Sequence, residues 1–292
     1  MKKLLIIDAN SLIHRAFHAL PPLTDLEGRP AGALYGISSI LMKVLKDINP
    51  DFIAAAFDRP EPTFRANQYS PYKENRPQAA DELISQIIRA KEVFAAFGIP
   101  CFEKAGFEAD DLIGTIAEKY KFNEGVDKVM ILSGDLDTLQ LVDKDKVVVE
   151  FPVKGISEFI EYDEAGVKER LGVSPAMVTD YKAIVGDSSD NIPGVPGVGP
   201  KTAVSILNDY GSIEDFYELH PEPKTSALKK MYEGEVSARM SKRLATIVRD
   251  VEVFFPPLSG LSREQFSIDK LLSFFESIGF KNLASRLRDK GI

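Results

Sequence analysis

Nine carboxylates in this sequence stand at the ends of short apolar runs, at a helix start or in a glycine-rich loop. They are Asp8, Asp58, Glu108, Asp110, Asp111, Asp135, Asp137, Asp187 and Asp190. In an open parallel sheet the carboxyl ends of the strands meet at one edge, where ligands collect. For any one of these residues, a role as a turn or helix cap explains its position equally well. Capping does not explain why three of the four predicted strands end on or beside an acid.

Carboxylates brought together in this number would repel one another unless cations bound among them. Donor sets made of oxygen, without histidine or cysteine, favour Mg²⁺ or Mn²⁺ over zinc. The histidines, His14, His18 and His220, are scattered, and core or surface roles suit them better than ligation. Two hard cations about 4 Å apart are suited to phosphodiester hydrolysis, one activating water and the other stabilising the leaving oxygen. The acids therefore predict a two-metal hydrolytic centre.

The glycine-rich loop "GDSSDNIPGVPGVGPKTA" lies at residues 186–203. It joins two helical patterns, so it lacks the strand that a dinucleotide-binding turn requires, and its spacing does not match an NTP-binding P-loop. A glycine hairpin between helices instead offers backbone N–H groups and a helix N-terminus to a nucleic-acid phosphate. The residues expected to make this contact are Gly194, Val195, Gly197, Val198, Gly199, Lys201 and Thr202.

Basic and aromatic side chains alternate in residues 59–78, a pattern that suits a single nucleic-acid strand because cations hold phosphates and rings stack on bases. Prolines interrupt the segment, which favours a partly ordered loop over a stable helix. A solvated loop of mixed charge is the alternative. The candidates in and near this segment are Arg15, Phe64, Arg65, Tyr72, Lys73 and Arg76.

The bulk composition is that of a soluble globular protein, with 44% hydrophobic residues among 292. A net charge of −8 argues against nucleic-acid binding. When the nine acids are left out of the sum, however, the rest of the chain is close to neutral, so the objection no longer holds. The apolar run at the N-terminus stops at Asp8, too soon for a signal peptide, and no run is long enough for a membrane span. A lone cysteine, Cys101, fits a reducing cytoplasm.

Strand and helix patterns alternate through the first half of the chain, which predicts an α/β fold with a mostly parallel sheet flanked by helices. Strands are expected at 4–8, 52–58, 128–135 and 146–151. From about residue 163 the patterns are helical, including helices expected at 200–211 and 237–250. We therefore expect an α/β core over residues 1–172 and a helical region over residues 173–292.

Five motifs of this chain stand in the order and spacing of a known family. They are "IIDANSLIHRAFHAL", "TFRANQYSPYKENRP", "GFEADDLIGTIA", "SGDLDTLQLV" and "GDSSDNIPGVPGVGPKTA". The sequence resembles the 5′ nuclease (5′→3′ exonuclease) domains of bacterial DNA polymerase I, within the flap endonuclease superfamily, over essentially its whole length. That resemblance implies a PIN-like, resolvase-like core, a helical arch at about 60–98 and a helix-hairpin-helix element at about 178–210.

The resemblance also implies roles for the site residues. Five acids, Glu108, Asp110, Asp111, Asp135 and Asp137, would surround one Mg²⁺ or Mn²⁺, with Asp8 and Asp58 beside it. Asp187 and Asp190 would hold the second metal, and the helix-hairpin-helix would take K⁺. The family's phosphate-binding positions fall on Arg15, Lys73 and Arg76, and those near the entering strand on Phe64, Arg65 and Tyr72.

The implied activity is hydrolysis of 5′ flaps and nicked ends in branched or nicked duplex DNA, for RNA primer removal and repair. We expect a cytoplasmic, nucleoid-associated monomer that does not bind membranes, either stand-alone or joined to a polymerase domain in a longer chain. The residues alone leave two other classes of function open. One is a phosphatase using "DLD" at 135–137, and the other is a DNA-junction binder that does not cut.

Overall fold

A six-stranded sheet lies at the centre of the computed structural model, which describes residues 1–154 and 158–290. Its order is β3-β2-β1-β4-β5-β6; the first five of these strands run parallel, and β6 is antiparallel to β5. The strands are β1 (Lys3–Asp8), β2 (Phe52–Ala56), β3 (Cys101–Phe102), β4 (Lys128–Leu132), β5 (Val147–Lys154) and β6 (Glu158–Tyr162).

The central strands are continuous apolar runs because both faces of the sheet are covered. Successive side chains point to opposite faces, so Leu4 and Ile6 enter one hydrophobic core while Leu5 and Ile7 enter the other. This arrangement leaves the carboxyl ends of the strands as the polar edge of the sheet.

Thirteen α-helices surround the sheet in the described residues. They are α1 (Ala9–Ala19), α2 (Gly32–Ile48), α3 (Phe64–Gln68), α4 (Asp81–Ala96), α5 (Ala109–Tyr120), α6 (Glu164–Leu171), α7 (Val178–Val185), α8 (Pro200–Tyr210), α9 (Ile213–Leu219), α10 (Ser226–Glu233), α11 (Glu235–Ala245), α12 (Ile268–Ser277) and α13 (Lys281–Lys290). One core contains the buried faces of α1, α2, α4, α12 and α13, and the other contains those of α5 to α11.

The predicted α/β sheet with a helical second half is confirmed, and so are the four predicted strands. The short strand β3 and the strand β6 were not predicted, and neither were helices α10 and α13. The last two helices return to the core formed by β1 and α1, so the C-terminal end of the chain packs on the α/β part.

The helix expected at 237–250 ends at Ala245. The N–H of Thr246 still donates to the carbonyl of Lys242 (3.0 Å), but the following backbone groups bond to side chains of the α/β core. The carbonyl of Thr246 accepts a hydrogen bond from Arg65 (2.7 Å), and the N–H of Val248 donates to Asp111 (2.9 Å). These long-range contacts, which no local pattern reveals, override the helical periodicity.

The segment expected to form an arch divides into two unlike parts. Residues 64–76 form the short helix α3 and a series of turns. Helix α4 instead buries one face in the core through residues that include Leu83, Val93 and Phe94. The part that borders the polar edge of the sheet is therefore shorter than the predicted arch.

None of the helices in the described residues is both long and apolar enough to cross a membrane.

Candidate active site

The carboxylates at the strand ends accept hydrogen bonds from the first N–H groups of neighbouring helices or turns, and these bonds fix their positions. Asp8 is the last residue of β1 and accepts a hydrogen bond from the N–H of Ser11 (3.0 Å) at the start of α1. Asp58 follows β2 and accepts one from the N–H of Ala109 (2.7 Å) at the start of α5. Asp135 accepts one from the N–H of Asp137 (2.9 Å) in a 3₁₀ turn. The capping and functional explanations of these acids are thus compatible, because one side chain serves both.

Five of the nine predicted carboxylates line one cavity of about 220 Å³ at the polar edge. Two predicted basic residues line it with them. The lining residues are Asp8, Asn10, Ser11, His14, Asp58, Lys73, Arg76, Glu108, Ala109, Asp110, Gly134 and Asp135. Side chains from β1, α5, the loop after β4 and the turn after α3 therefore meet in one place.

Three carboxylates in this cavity, those of Asp8, Asp110 and Asp135, resist ionisation. Burial raises the pKa of Asp8 to about 7 against hydrogen bonds from Ser133 and Ser11, and the charges of Asp58 and Asp135 add to the rise. Burial and the charges of Asp135 and Asp8 likewise hold the pKa of Asp110 well above its ordinary value. Burial also raises the pKa of Asp135. Such a group of buried, mutually repelling acids needs positive charge.

A second cavity, of about 630 Å³, adjoins the first and shares Arg76, Gly134 and Asp135 with it. Two more predicted ligands, Asp137 and Asp187, line it, and the ammonium of Lys182 bonds both of them. Burial alone would raise the pKa of Asp187, but Lys182 and the hydrogen bonds from Ser189 lower it to about 2.

Protein cations pair with several of the predicted metal ligands. Lys73 bonds Glu108 at 2.8 Å, and Arg76 bonds Asp190. In the described ranges, no group of three or more His, Cys, Asp or Glu side chains is arranged to hold a metal ion. The predicted ligands are thus partly neutralised by cations of the chain itself.

Asp111 and Arg65 form a buried pair behind the cavity. Both oxygens of Asp111 accept hydrogen bonds from the guanidinium of Arg65 at 2.7 Å. Arg65 also donates to the carbonyls of Leu244 (2.8 Å) and Thr246 (2.7 Å). Asp111 is thus paired with a protein cation and Arg65 faces the interior, while the metal role of Asp111 and the DNA-binding role of Arg65 stay predictions. The pair ties α3, α5 and the end of α11 together.

The turn that carries Lys73 is bonded to the loop that carries Asp190. The N–H of Lys73 donates to the carbonyl of Asp190 (2.9 Å), and the side chain of Asn191 donates to the carbonyl of Pro71 (2.7 Å). Lys73 has φ +57° and Asn191 has φ +57°, in the left-handed region that non-glycine residues rarely occupy. The hydroxyl of Tyr72, which is buried, donates to Asp190 (3.0 Å) and Glu108 (3.1 Å). Tyr72 thus lies behind the acids instead of on an exposed stacking surface.

The predicted glycine hairpin links α7 to α8 and divides into anchoring and exposed residues. Gly194, Val195 and Val198 are buried, and a Cβ at Gly194 would lie 2.4 Å from the backbone nitrogen of Gly186. Gly199 is exposed, and a Cβ there would meet open space. Packing within the chain therefore does not require glycine at 199, and the backbone is accessible to a ligand.

The other predicted binding residues are at least partly accessible. Lys201 is exposed and Thr202 half-buried in the first turn of α8, and Arg15 is half-buried on α1. Phe64 is half-buried beside Phe107, with ring centroids 5.7 Å apart.

Several residues of this site were not predicted from the sequence. The hydroxyl of Ser133 donates to Asp8 (2.6 Å), and the side chain of Asn10 accepts from the N–H of Asp58 (3.2 Å). Lys182 lies in the last turn of α7, five residues before Asp187. The positions of Asn10 and Ser133, close after β1 and β4, could have identified them, whereas no local pattern marks Lys182.

The donor chemistry fits a hard divalent cation. The carboxylates of Asp8, Asp58, Asp110 and Asp135 line one cavity, and burial together with neighbouring carboxylates raises the pKa of Asp8, Asp110 and Asp135. A cation with a preference for oxygen would neutralise these carboxylates.

Two family models together match most of the chain. The N-terminal resolvase-like domain of 5′-3′ exonuclease matches residues 3–172, and the C-terminal SAM fold of 5′-3′ exonuclease matches residues 173–269. DNA polymerase I of Caldicellulosiruptor bescii is 41% identical over 98% of this chain and 33% of its own length. DNA polymerase I of Bacillus subtilis is 40% identical over 98% of this chain and 32% of its own length. The chain thus spans about a third of these relatives.

Solved structures show the same fold. A bacteriophage T5 5′-exonuclease with bound divalent metal ions (zinc) is 25% identical, with a TM-score of 0.69 over 85% of this chain and 90% of that one. A T5 flap endonuclease in a pseudo-enzyme-product complex with DNA and metal ions is 22% identical, with a TM-score of 0.67 over 98% of both chains. Together with the acid-lined edge of the sheet, these matches show that the chain belongs to the 5′-3′ exonuclease family of nucleases.

Proposed function

We propose that this chain hydrolyses phosphodiester bonds of DNA at 5′ flaps and nicks, with divalent cations bound at the polar edge of the sheet. The observation that carries the proposal is the cavity in which five carboxylates and two basic side chains, Lys73 and Arg76, meet. A phosphatase needs no glycine hairpin beside its acids. A DNA binder that does not cut would be better served by fewer negative charges facing the phosphates.

The carboxylates divide between two cation subsites. Glu108, Asp110 and Asp135, with Asp8 and Asp58, would hold one Mg²⁺ or Mn²⁺ at the first cavity. Asp187 and Asp190 would hold the other, joined there by Asp137, because Asp137 lines the second cavity with Asp187 and shares Lys182 with it. Asp111 supports the first group by fixing α5 through Arg65. When bound, the cations would supply an activated water and a stabilised leaving oxygen.

Lys73 and Arg76 would bind the reacting phosphate, and Arg15 would reach a neighbouring one. In the free protein the side chains of Lys73 and Arg76 neutralise Glu108 and Asp190. A phosphate that enters together with metal charge would replace those carboxylates as their partner. Replacing Lys73 with alanine should then slow cleavage far more than it weakens duplex binding.

The DNA itself would contact two regions. The duplex backbone would lie on the exposed part of the hairpin, at Gly197, Gly199, Lys201 and Thr202, where a helix N-terminus attracts phosphate. The anchoring residues Gly194, Val195 and Val198 would shape this element, with K⁺ as a further ligand. The 5′ strand would pass residues 64–80, where Phe64 and Tyr69 are half-buried aromatic side chains.

The biological role that fits is removal of RNA primers and repair of nicked DNA, in the cytoplasm of a bacterium. Curated relatives are DNA polymerase I chains about three times longer, which supports a polymerase domain in the same polypeptide as a partner. We expect the nuclease part to act as a monomer, because one chain contains every element of the site.

A 5′-labelled flap duplex tests this function directly. With Mg²⁺ the chain should release the flap near its junction, while EDTA or the substitution Asp135→Ala should abolish release. Asp145→Ala is a matched control, because Asp145 is exposed and lines neither cavity. Turnover of a small phosphate ester without flap release would instead support a phosphatase, and junction binding without cleavage a passive binder.

A further inference from the structure

Lys182 lies between two carboxylates that the site needs. Its ammonium bonds Asp137 on one side and Asp187 on the other, the latter at 2.6 Å. The side chain extends from the last turn of α7 and is only 13% exposed. The carboxylates belong to different parts of the fold, a 3₁₀ turn after β4 and the loop after α7.

Both carboxylates line the second cavity, and Lys182 lines it with them. A monovalent ammonium therefore occupies the position between two carboxylates to which a divalent cation would also be attracted. The ammonium and a divalent cation cannot share this position, because two like charges a few ångströms apart repel strongly where water is partly excluded.

We propose that Lys182 is an internal counterion of the second cation subsite: it neutralises Asp137 and Asp187 in the free protein and is displaced when a divalent cation binds there. This inference rests on the proposed function, since it assigns those two carboxylates to a cation. The ammonium prevents the carboxylates from repelling each other before the cation arrives. It also lowers the affinity of the subsite, because a cation must first break two ion pairs.

Lys182 lies within the site, whereas a second lysine of similar exposure, Lys121, lies outside it. Lys121 is 12% exposed and bonds two carboxylates, Glu118 (3.0 Å) and Asp143 (3.1 Å), but lines neither cavity of the site. It therefore supplies a matched control. Lys121 has nearly the same burial and the same number of partners, without a neighbouring group of catalytic acids.

Binding of Mn²⁺ to the DNA-free protein, measured by calorimetry and by the electron paramagnetic resonance of free Mn²⁺, tests the proposal. Lys182→Met should bind the weaker of two Mn²⁺ ions about tenfold more tightly than the wild type, a change equivalent to about 1.4 kcal/mol. Lys121→Met should leave both affinities unchanged. Unchanged or weaker Mn²⁺ binding by Lys182→Met, in a protein with native circular dichroism, would overturn the proposal.

The wild-type protein offers a second test that does not depend on a variant. Reductive methylation followed by mass spectrometry measures how accessible each lysine amine is. Addition of Mg²⁺ should increase methylation of Lys182 severalfold and leave that of Lys121 unchanged; equal methylation of Lys182 with and without Mg²⁺ would contradict displacement. Wild-type protein that cleaves flaps but shows neither effect would refute the counterion alone, whereas wild-type protein that neither binds Mn²⁺ nor cleaves would refute the function as well.

Discussion

Two buried aspartates of this chain occupy opposite electrostatic environments. Asp25, 7% exposed, accepts hydrogen bonds from the N–H groups of Glu27 and Arg29 and from the guanidiniums of Arg29 and Arg89. Burial alone would raise its pKa, but these donors lower it to about 2. Asp8, 4% exposed, accepts from Ser11 and Ser133 and lies near other acids, and its pKa is raised to about 7.

The contrast separates acids that stabilise the fold from acids that serve a ligand. A buried carboxylate that is surrounded by donors and lines neither cavity, as Asp25 does, needs no ligand from outside the chain. A buried carboxylate that remains short of positive charge indicates a site, because the fold retains it at a cost in stability. By this criterion Asp111, held by Arg65, belongs with Asp25, whereas Asp110 and Asp135 belong with Asp8.

The largest expected effect concerns cleavage. Asp110→Asn should lower the rate of flap cleavage by about a thousandfold, because it removes a charged oxygen from the cation site. Asp25→Asn should leave the rate within about twofold at a temperature where both proteins are folded, since Asp25 lies outside both cavities. Single-turnover cleavage of a labelled flap measures both. Comparable losses in the two variants would remove the distinction between the two kinds of acid.

A large loss of stability is expected where a buried carboxylate loses the cation that neutralises it. Arg65→Met should reduce the free energy of unfolding by about 3–5 kcal/mol, because it leaves the charge of Asp111 buried without a partner. The double variant Arg65→Met, Asp111→Leu should recover part of that loss. Urea denaturation measures these values. As a control, Lys43→Met breaks an exposed pair with Asp47 and should cost less than about 1 kcal/mol.

A further prediction uses pH. The raised pKa of Asp8 means that its protonated form favours the folded state, so the metal-free protein loses this stability as pH rises from about 4 to about 7. Asp8→Asn should therefore raise the melting temperature at pH 8 and leave it nearly unchanged at pH 4. Asp25, with its lowered pKa, contributes stability above about pH 4 that is lost as pH falls towards about 2.

Asp25→Asn should accordingly lower the melting temperature at pH 7, with a difference that shrinks towards pH 2. Thermal unfolding of the three proteins in EDTA across this range checks both signs. The same pH dependence for Asp8→Asn and Asp25→Asn would show that the two environments are not opposite.

The smallest expected effect lies in the hairpin. Gly199→Ala should weaken duplex binding about fivefold, or about 1 kcal/mol, because the added Cβ would hold a phosphate away from the backbone N–H groups. It should cost less than about 1 kcal/mol of stability, since Gly199 is the N-cap of α8 and alanine is a poorer N-cap than glycine. Gly194→Ala should instead destabilise the protein, because its Cβ would meet backbone at 2.4 Å. Fluorescence anisotropy with labelled duplex and thermal unfolding separate these outcomes. A Gly199→Ala variant destabilised as strongly as Gly194→Ala would show that glycine is needed at 199 for packing.

The sheet and most of the site follow from local sequence. Apolar runs that end in acid predicted β1, β2 and β4, and parallel pairing then brings Asp8, Asp58 and Asp135 to one edge. The helical second half followed from apolar residues at helical spacing.

What the sequence did not reveal depends on contacts between distant residues. Arg65 and Asp111 are 46 residues apart, and Lys182 and Asp137 are 45 apart. From the sequence, Arg65 is one of several cations in a basic segment. Only the folded structure shows that its side chain is buried. The end of α11 at Ala245 has the same cause, since side chains of the α/β core bond the backbone beyond it.

Crystals of the DNA-free protein soaked in Mn²⁺ would test the central claim most directly, through anomalous diffraction at the manganese absorption edge. We expect one peak in the cavity lined by Asp8, Asp110 and Asp135 and a second near Asp137 and Asp187. A protein that cleaves flaps in Mn²⁺ solution but shows no peak in either cavity would contradict the account.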